Sequence, residues 1–442
     1  MNILPYTLKT TKDLLTARAG LLTVAQLMEQ LQLSARIDRL FPLPKSNRGI
    51  NPSGYIQTLM LMQHEGSFHL DDVRHLESDT ALKTILNIKT FPKPTSIGDW
   101  LRKTGAHEST HESLQKLNKT LLSAALHTCK GVTLDIDATE IIANKTSAQW
   151  TYKSNKGYMP MVGHIAQTGQ VLACDFRKGN QSPNSENLAF IQQCQAALPD
   201  GSYIKQLRID AAGYQTAIIR YCDEEDIQYA IRAVMSNAIK EHIEAAKASD
   251  WQPMLDKQGN AVPGEDTLRI QHWIGHADNP FTLVIQRKST KGQGELDLET
   301  PDNQQEITRK GFIYRAIATN REALSDSQII HWYNQRGEDS ENRIKELKLD
   351  FGGDTLPCSD FNANALYFTI ATLSYNLFAL MRQLLPESLL HHRVITIRWR
   401  LYALAAKVVK TGRRYFIKMR NDHRSLLAEV LEALRSFEPP PI

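Results

Sequence analysis

Residues 132–137 read VTLDID, and this hexapeptide constrains the fold more tightly than any other stretch of the chain. Successive side chains of a strand point to opposite faces, so Val132, Leu134 and Ile136 share one face while Asp135 and Asp137 share the other. The device recurs in LRID, where Leu207 and Ile209 oppose Arg208 and Asp210 just before the turn AAGY. Two strands that each end an apolar run on an acid are an economical way to hold a divalent cation. Hard cations such as Mg²⁺ take carboxylate oxygens and keep positions open for phosphate and water. A third acid, from a helix packed on the sheet, would complete a site for two metals about 4 Å apart. One would activate water or a 3′-hydroxyl and the other would stabilise the leaving oxygen. An aspartate at a strand end also commonly caps a turn, and that reading stands beside the catalytic one. Asp135 competes with Asp137, since both lie on one face.

The surrounding texture supports a sheet. GVTLDIDATE, GYMPMVGHIAQ and GQVLACDFR read as three strands separated by turn residues. NSENLAFIQQCQAAL then reads as a helix, IKQLRID as a strand, YQTAIIRYCDEED as a helix and IQYAIRA as a strand. A strand meander followed by alternating helices and strands predicts an α/β fold with a mixed sheet. Upstream, Val24, Leu27, Met28 and Leu31 keep i, i+3, i+4, i+7 spacing after Thr23, a candidate N-cap. Pro92 and Pro94 in FPKPT break the helical pattern. Several short helices suit either a helix-turn-helix DNA reader or a plain bundle. At 442 residues the chain predicts more than one domain. The divisions are a helical region over 1–125, an α/β core over 126–234 and 321–385, a β-rich insertion over 235–320 and a basic region over 386–442.

No apolar run approaches the roughly 18 residues of a membrane helix, and the start MNILPYTLKTTKDLL becomes polar too soon for a signal peptide. Five scattered cysteines without a CxxC argue for reduced thiols in a cytoplasmic compartment. A net charge of +4 does not by itself announce a nucleic-acid binder. Its distribution is more telling, because ten Lys or Arg stand against Asp422 alone between Arg393 and Arg424. Aromatics interleave there, in TIRWRLYALAAKVVKTGRRYFIKMR. Such a segment suits DNA phosphates, or equally an amphipathic element with its aromatics turned inward.

YNQRGEDSENRIKELK, residues 333–348, reads as a charged helix. Glu341 and Lys348 are seven residues apart, nearly two turns, and so point the same way on a regular helix.

With LDIDATEI, DFRKGNQSPNSENLAF, RIDAAGY, YNQRGEDSENRIKELKLDFGGDTLPC, NANALYF, SYNLFALMR and VVKTGRRYFIKM, the chain resembles the group 1 DDE transposases of bacterial insertion sequences. The similarity covers roughly residues 130–230 and 325–420. It implies a ribonuclease-H-like mixed-sheet catalytic domain with a β-rich insertion between the second Asp and the Glu, and a helical N-terminal domain that binds DNA ends. It implies Asp137, Asp210 and Glu341 as the metal-binding catalytic triad, with two Mg²⁺ ions, or Mn²⁺ in their place. Tyr333, Arg336 and Lys348 match the family's Tyr–Arg–Glu–Lys signature, which contacts DNA near the cut; from the basic segment, Arg413 and Arg414 are further candidate DNA-binding residues. The implied partners are double-stranded DNA, as terminal inverted repeats and as target, and a second copy of the chain in a synaptic dimer. The implied location is the bacterial cytoplasm, at the nucleoid.

One departure matters. Four residues, Gly337 to Ser340, separate Arg336 from Glu341 where the signature has three. The extra residue turns Tyr333 and Arg336 by about 100° relative to Glu341 on a continuous helix. A bulge at Gly337 would absorb it. Otherwise Glu338 competes with Glu341, although ENRIKELK favours Glu341. A DNA-binding relative without activity, and a plain metal-dependent nuclease, are the rival functions. HExxH at His107, Glu108 and His111 imitates a zinc-protease motif, but Leu117 stands where a third ligand would be.

Overall fold

The computed structural model describes residues 3–127, 129–274, 280–290 and 305–440. The chain divides into two compact units, residues 1–124 with 346–442 and residues 125–345.

The second unit is built on one mixed sheet. Its strands are β1 (Gly131–Ala138), β2 (Met161–Ile165), β3 (Val171–Asp175), β4 (Tyr203–Ile209) and β5 (Gln228–Arg232). Further along come β6 (Gln252–Leu255), β7 (Ala261–His272), β8 (Phe281–Ser289) and β9 (Phe312–Thr319), with a short strand Ile307–Arg309 paired to β9 off the main path. The order across the sheet is β6-β7-β8-β9-β5-β4-β1-β2-β3. Strands β1, β4 and β5 run parallel, β2 pairs antiparallel with β1, and β3 pairs antiparallel with β2. Each strand read between residues 131 and 233 is therefore present. The β-rich segment after residue 235 extends this same sheet, with β9 pairing antiparallel to β5.

Alternation gives the sheet two unlike faces. Leu134, Ile136, Leu207 and Ile209 are buried. Gly163 on β2 leaves room for a helix, α1 (Asn187–Ala197), since a Cβ there would lie 2.6 Å from Cys194 Sγ. A second helix, α2 (Thr216–Glu224), links β4 to β5, and Ile218, Ile219 and Cys222 are its buried side chains. The helix that carries Glu341, α3 (Asp326–Lys345), packs on β1, β5 and the extension strands. Its first half is apolar: Ile329, Ile330 and Tyr333 form one core cluster with Ala230, Met254, Val284 and Ile317.

Helix α3 is uninterrupted through Gly337, so the extra residue is not absorbed there. The irregular winding comes later, as a π-helical turn over Glu346–Asp350 in which Phe351 N donates to Glu346 O. The seven residues from Glu341 to Lys348 are therefore not two regular turns.

The first unit is mainly helical. Val24, Leu27 and Met28 are buried on the helix Leu22–Gln30, as their spacing requires. Thr23 lies inside that helix instead of capping it, and its hydroxyl donates to Gly20 O at 2.8 Å. Pro94 opens the helix Pro94–Gly105, because a proline in the first turn lacks only an N–H that would have no partner there. The apolar segment 361–383 is one helix, buried along most of its length. The basic region folds as short helical turns, the hairpin Ala406–Thr411 and Arg414–Lys418, and the helix Asn421–Ser436. No helix among the described residues is long and apolar enough to cross a membrane.

Two glycines test this packing with opposite signs. Gly337→Ala meets open space within the helix and is expected to stabilise by up to about 1 kcal/mol. Gly163→Ala drives a methyl group into Cys194, Leu134 and Phe190, and should cost about 1–3 kcal/mol. Urea titrations of the two variants give the comparison; a Gly337→Ala loss above 1 kcal/mol would contradict the unbroken helix.

Candidate active site

The register of β1 against β4 sets the site. Asp135 pairs with Arg208 and Ile136 with Ile209, so the chain's next step on each strand brings Asp137 beside Asp210. Both acids fall where their strands leave the parallel core, and both are partly exposed.

Asp135 and Asp137 have different fates despite sharing a face. Asp135 is fully buried and bound by Arg208 through two hydrogen bonds of 2.7 Å, from Nε and Nη2. Burial pushes its carboxyl upward and the Arg208 guanidinium opposes that shift. Both of its oxygens are thus committed to this ion pair.

Arg208 has a further task. Its Nη1 donates to the Trp332 carbonyl of α3 at 2.7 Å, and its guanidinium lies 5.5 Å from the Trp332 ring centroid. Arg336 reaches the other way, donating to the Ile136 carbonyl of β1 at 2.9 Å. Arg343 donates to the carbonyls of Ile165 and Ala166 at 2.8 and 2.6 Å. Three arginines thus fasten the polar half of α3 across β1, β2 and β4. His164, opposite Asp135 on β2, is buried among them. Burial and the charges of Arg343, Arg336 and Arg208 push its pKa well below the ordinary value, so it is neutral.

Asp137 has different surroundings. Arg336 Nη2 stands 3.5 Å from its Oδ1. Burial nevertheless raises its pKa to about 6, with Asp210 and Glu341 adding negative charge and Arg336 working against the shift. Asp210 accepts a 3.0 Å hydrogen bond from Ala212 N and so caps the turn Ala211–Gly213. The turn-capping reading of this residue is correct as far as it goes. Glu341 is exposed on α3 and makes no ion pair among the described residues. The side chain of its competitor Glu338 lies outside the described residues.

The other signature residues are placed differently. Tyr333 is buried in the α3 core cluster, with Arg232 5.3 Å from its ring centroid. Arg336 is buried, and its guanidinium stays charged because Asp137, Tyr333, Asp210 and Asp135 outweigh the effect of burial. Lys348 belongs to the first unit, where it counters an upward shift that burial imposes on Asp354. Arg413 and Arg414 are exposed at the turn of the C-terminal hairpin. His107 precedes the helix Thr110–Ala125 and contacts Ser109, whereas His111 contacts Gln115, so the HExxH pair does not converge.

Sequence reasoning missed the Asp135–Arg208 pair and the anchors Arg343 and Trp332. The signal was present in part, since Arg208 occupies the face shared by Asp135, Asp137 and Asp210.

The donor set suits a hard divalent cation: all oxygen, on a carboxyl raised by burial and by two further carboxylates. Among the described residues, no three His, Cys, Asp or Glu side chains are grouped closely enough to hold one.

A sheet ordered β3-β2-β1-β4-β5, with acids at the adjacent ends of β1 and β4 and an acid-bearing helix across it, defines a ribonuclease-H-like catalytic domain. The family model described as transposase DDE domain, group 1, matches residues 7–439, and the chain belongs to that family. No curated protein matches it. Among solved structures, a piggyBac transposase synaptic complex with hairpin DNA matches with a TM-score of 0.46 and 11% identity, over 97% of this chain and 84% of that one.

Two substitutions test the electrostatics. Because the Asp137 pKa is raised from 3.8 to about 6, the folded state holds that proton more tightly than the unfolded state. Its contribution is most favourable at low pH and is lost as pH rises through about 6. Asp137→Asn should therefore stabilise the metal-free protein above that pH by about 1–3 kcal/mol and converge with the parent near pH 4. Thermal melts across this range check it; an equal shift at every pH would refute the assignment. Arg208→Met strands a buried carboxylate and should cost about 3–5 kcal/mol, much of it recovered by adding Asp135→Leu. Denaturant titration of the double-mutant cycle measures the recovery.

Proposed function

We propose that this protein is the transposase of a bacterial insertion sequence, which binds the terminal inverted repeats of its element, cuts there and joins the 3′-hydroxyls to target DNA. The observation that carries the reading is the β1–β4 register, which sets Asp137 beside Asp210 on the face crossed by α3.

Asp137, Asp210 and Glu341 are the residues that would hold two Mg²⁺ ions, or Mn²⁺ in their place, once drawn closer together than they stand in this structure. Such ions supply positive charge to the attacking and leaving oxygens of an in-line displacement. The protein's own contribution is position and fixed charge. Arg336, braced by the Ile136 carbonyl, places an obligate cation beside Asp137 for a non-bridging phosphate oxygen. The Asp135–Arg208 pair holds the strand ends and the helix at fixed spacing, which in-line attack requires. Tyr333 acts from the core, shaping the helix that carries Arg336 and Glu341. Lys348 and the exposed Arg413 and Arg414 meet DNA phosphates, with the helical region of the first unit gripping the ends. A homodimer brings two ends together, and the protein works at the nucleoid.

The test is Mg²⁺-dependent nicking of DNA that carries the element's ends. Asp210→Ala and Asp137→Asn should each lower cleavage at least about 10³-fold, as removal of an essential charge-stabilising group does. Duplex binding should stay within about two-fold of the parent. Nicking that survives Asp210→Ala would overturn the assignment.

A further inference from the structure

Beyond Ala138 the chain leaves β1 and forms a small separate sheet from Ile141–Ile142, Gln149–Trp150 and Lys156–Tyr158. One side of it is firmly fixed. Ile141 and Tyr158 are buried, the Tyr158 ring lies 4.9 Å from that of Phe176, and its hydroxyl bonds Ser147 at 2.6 Å. Thr151 is buried and donates to Glu140, whose other oxygen accepts from Asn155 at 3.1 Å. Backbones meet so closely that a Cβ on Gly157 would lie 2.0 Å from the Ile141 carbonyl oxygen, and one on Gly179 2.3 Å from that of Gln149.

Large apolar groups stand in water on this rigid base. Trp150 is 67% exposed, Tyr152 64% and Ile142 66%. Exposed apolar groups gathered on one braced element mark a binding surface. Their companions are cationic. Trp150 and Lys156 are direct cross-strand partners, and the Lys153 ammonium lies 5.6 Å from the Tyr152 ring centroid. From Thr139 to Gly157 three lysines stand against one carboxylate, Glu140, and its oxygens are already committed to Thr151 and Asn155. The complementary partner is planar, aromatic and anionic, which describes a nucleotide. Duplex bases hide their faces in the stack, so a free indole can cover only a base that is unpaired.

We infer that this hairpin is a stacking platform for unpaired nucleotides, with Trp150 and Tyr152 covering bases while Lys153 and Lys156 hold phosphates. The inference rests on the DNA-processing reading above and names the DNA form that the β1 end of the unit receives. It also gives the exposed aromatics a use that neither the acids nor the arginine anchors provide.

The experiment compares two labelled oligonucleotides, a blunt duplex and the same duplex with a short unpaired 3′ overhang, binding the full chain without divalent metal. Trp150→Ala and Tyr152→Ala should each weaken overhang binding about ten-fold and blunt binding by less than about two-fold. Trp150→Phe should keep overhang affinity within about three-fold of the parent, since a ring still stacks. A 2-aminopurine in the overhang should lose fluorescence on binding to the parent but not to Trp150→Ala. Equal weakening on both DNAs, or no change on either, would overturn the platform while leaving the transposase reading intact. If the parent binds neither DNA, both readings fall. All three substitutions lie on an exposed surface and should leave Tm unchanged.

Discussion

The site depends on one buried ion pair. Asp135 and Arg208 face each other on parallel neighbouring strands, and the second hydrogen-bonding edge of Arg208 is spent on a carbonyl of the Glu341 helix. A buried pair gains little over apolar packing in net stability, because desolvation consumes most of the attraction. Its value is directional. The fork of a guanidinium fixes three elements at once with a geometry that an apolar contact would leave loose.

That arrangement separates two chemically identical aspartates. Asp135 lies deep in the strand and is neutralised, whereas Asp137 emerges two residues later at the strand end. Arg336 accompanies Asp137 without neutralising it fully, because burial and the neighbouring carboxylates Asp210 and Glu341 push its pKa upward. A carboxyl held that way would gain from an incoming cation. The neutral His164 fits the same scheme, since a charged imidazole could not be accommodated among Arg208, Arg336 and Arg343.

Positive charge is divided between paired and exposed arginines. The C-terminal basic run does not form one continuous binding surface. Arg398 donates to the carbonyls of His64, Gln63 and Asp350, and Arg393 is paired with Asp350. Arg413 and Arg414 remain exposed on a hairpin turn. Composition could not divide these arginines, because the same side chain pairs with a backbone carbonyl or stands in solvent according to where the chain places it.

The sequence by itself determined the strand pattern, the two acid-ending strands and the family. Alternation and turn residues are local properties, so VTLDID and LRID each reveal which side chains share a face. Tertiary structure alone decided that Asp135 is bound by Arg208, because Arg208 lies 73 residues from it in the chain. It also decided that Gly337 continues the helix, that the winding changes at Glu346, and that the β-rich segment extends the main sheet instead of forming a layer of its own. Each of these depends on partners distant in sequence, and pairing across such distances leaves no periodic trace in the chain.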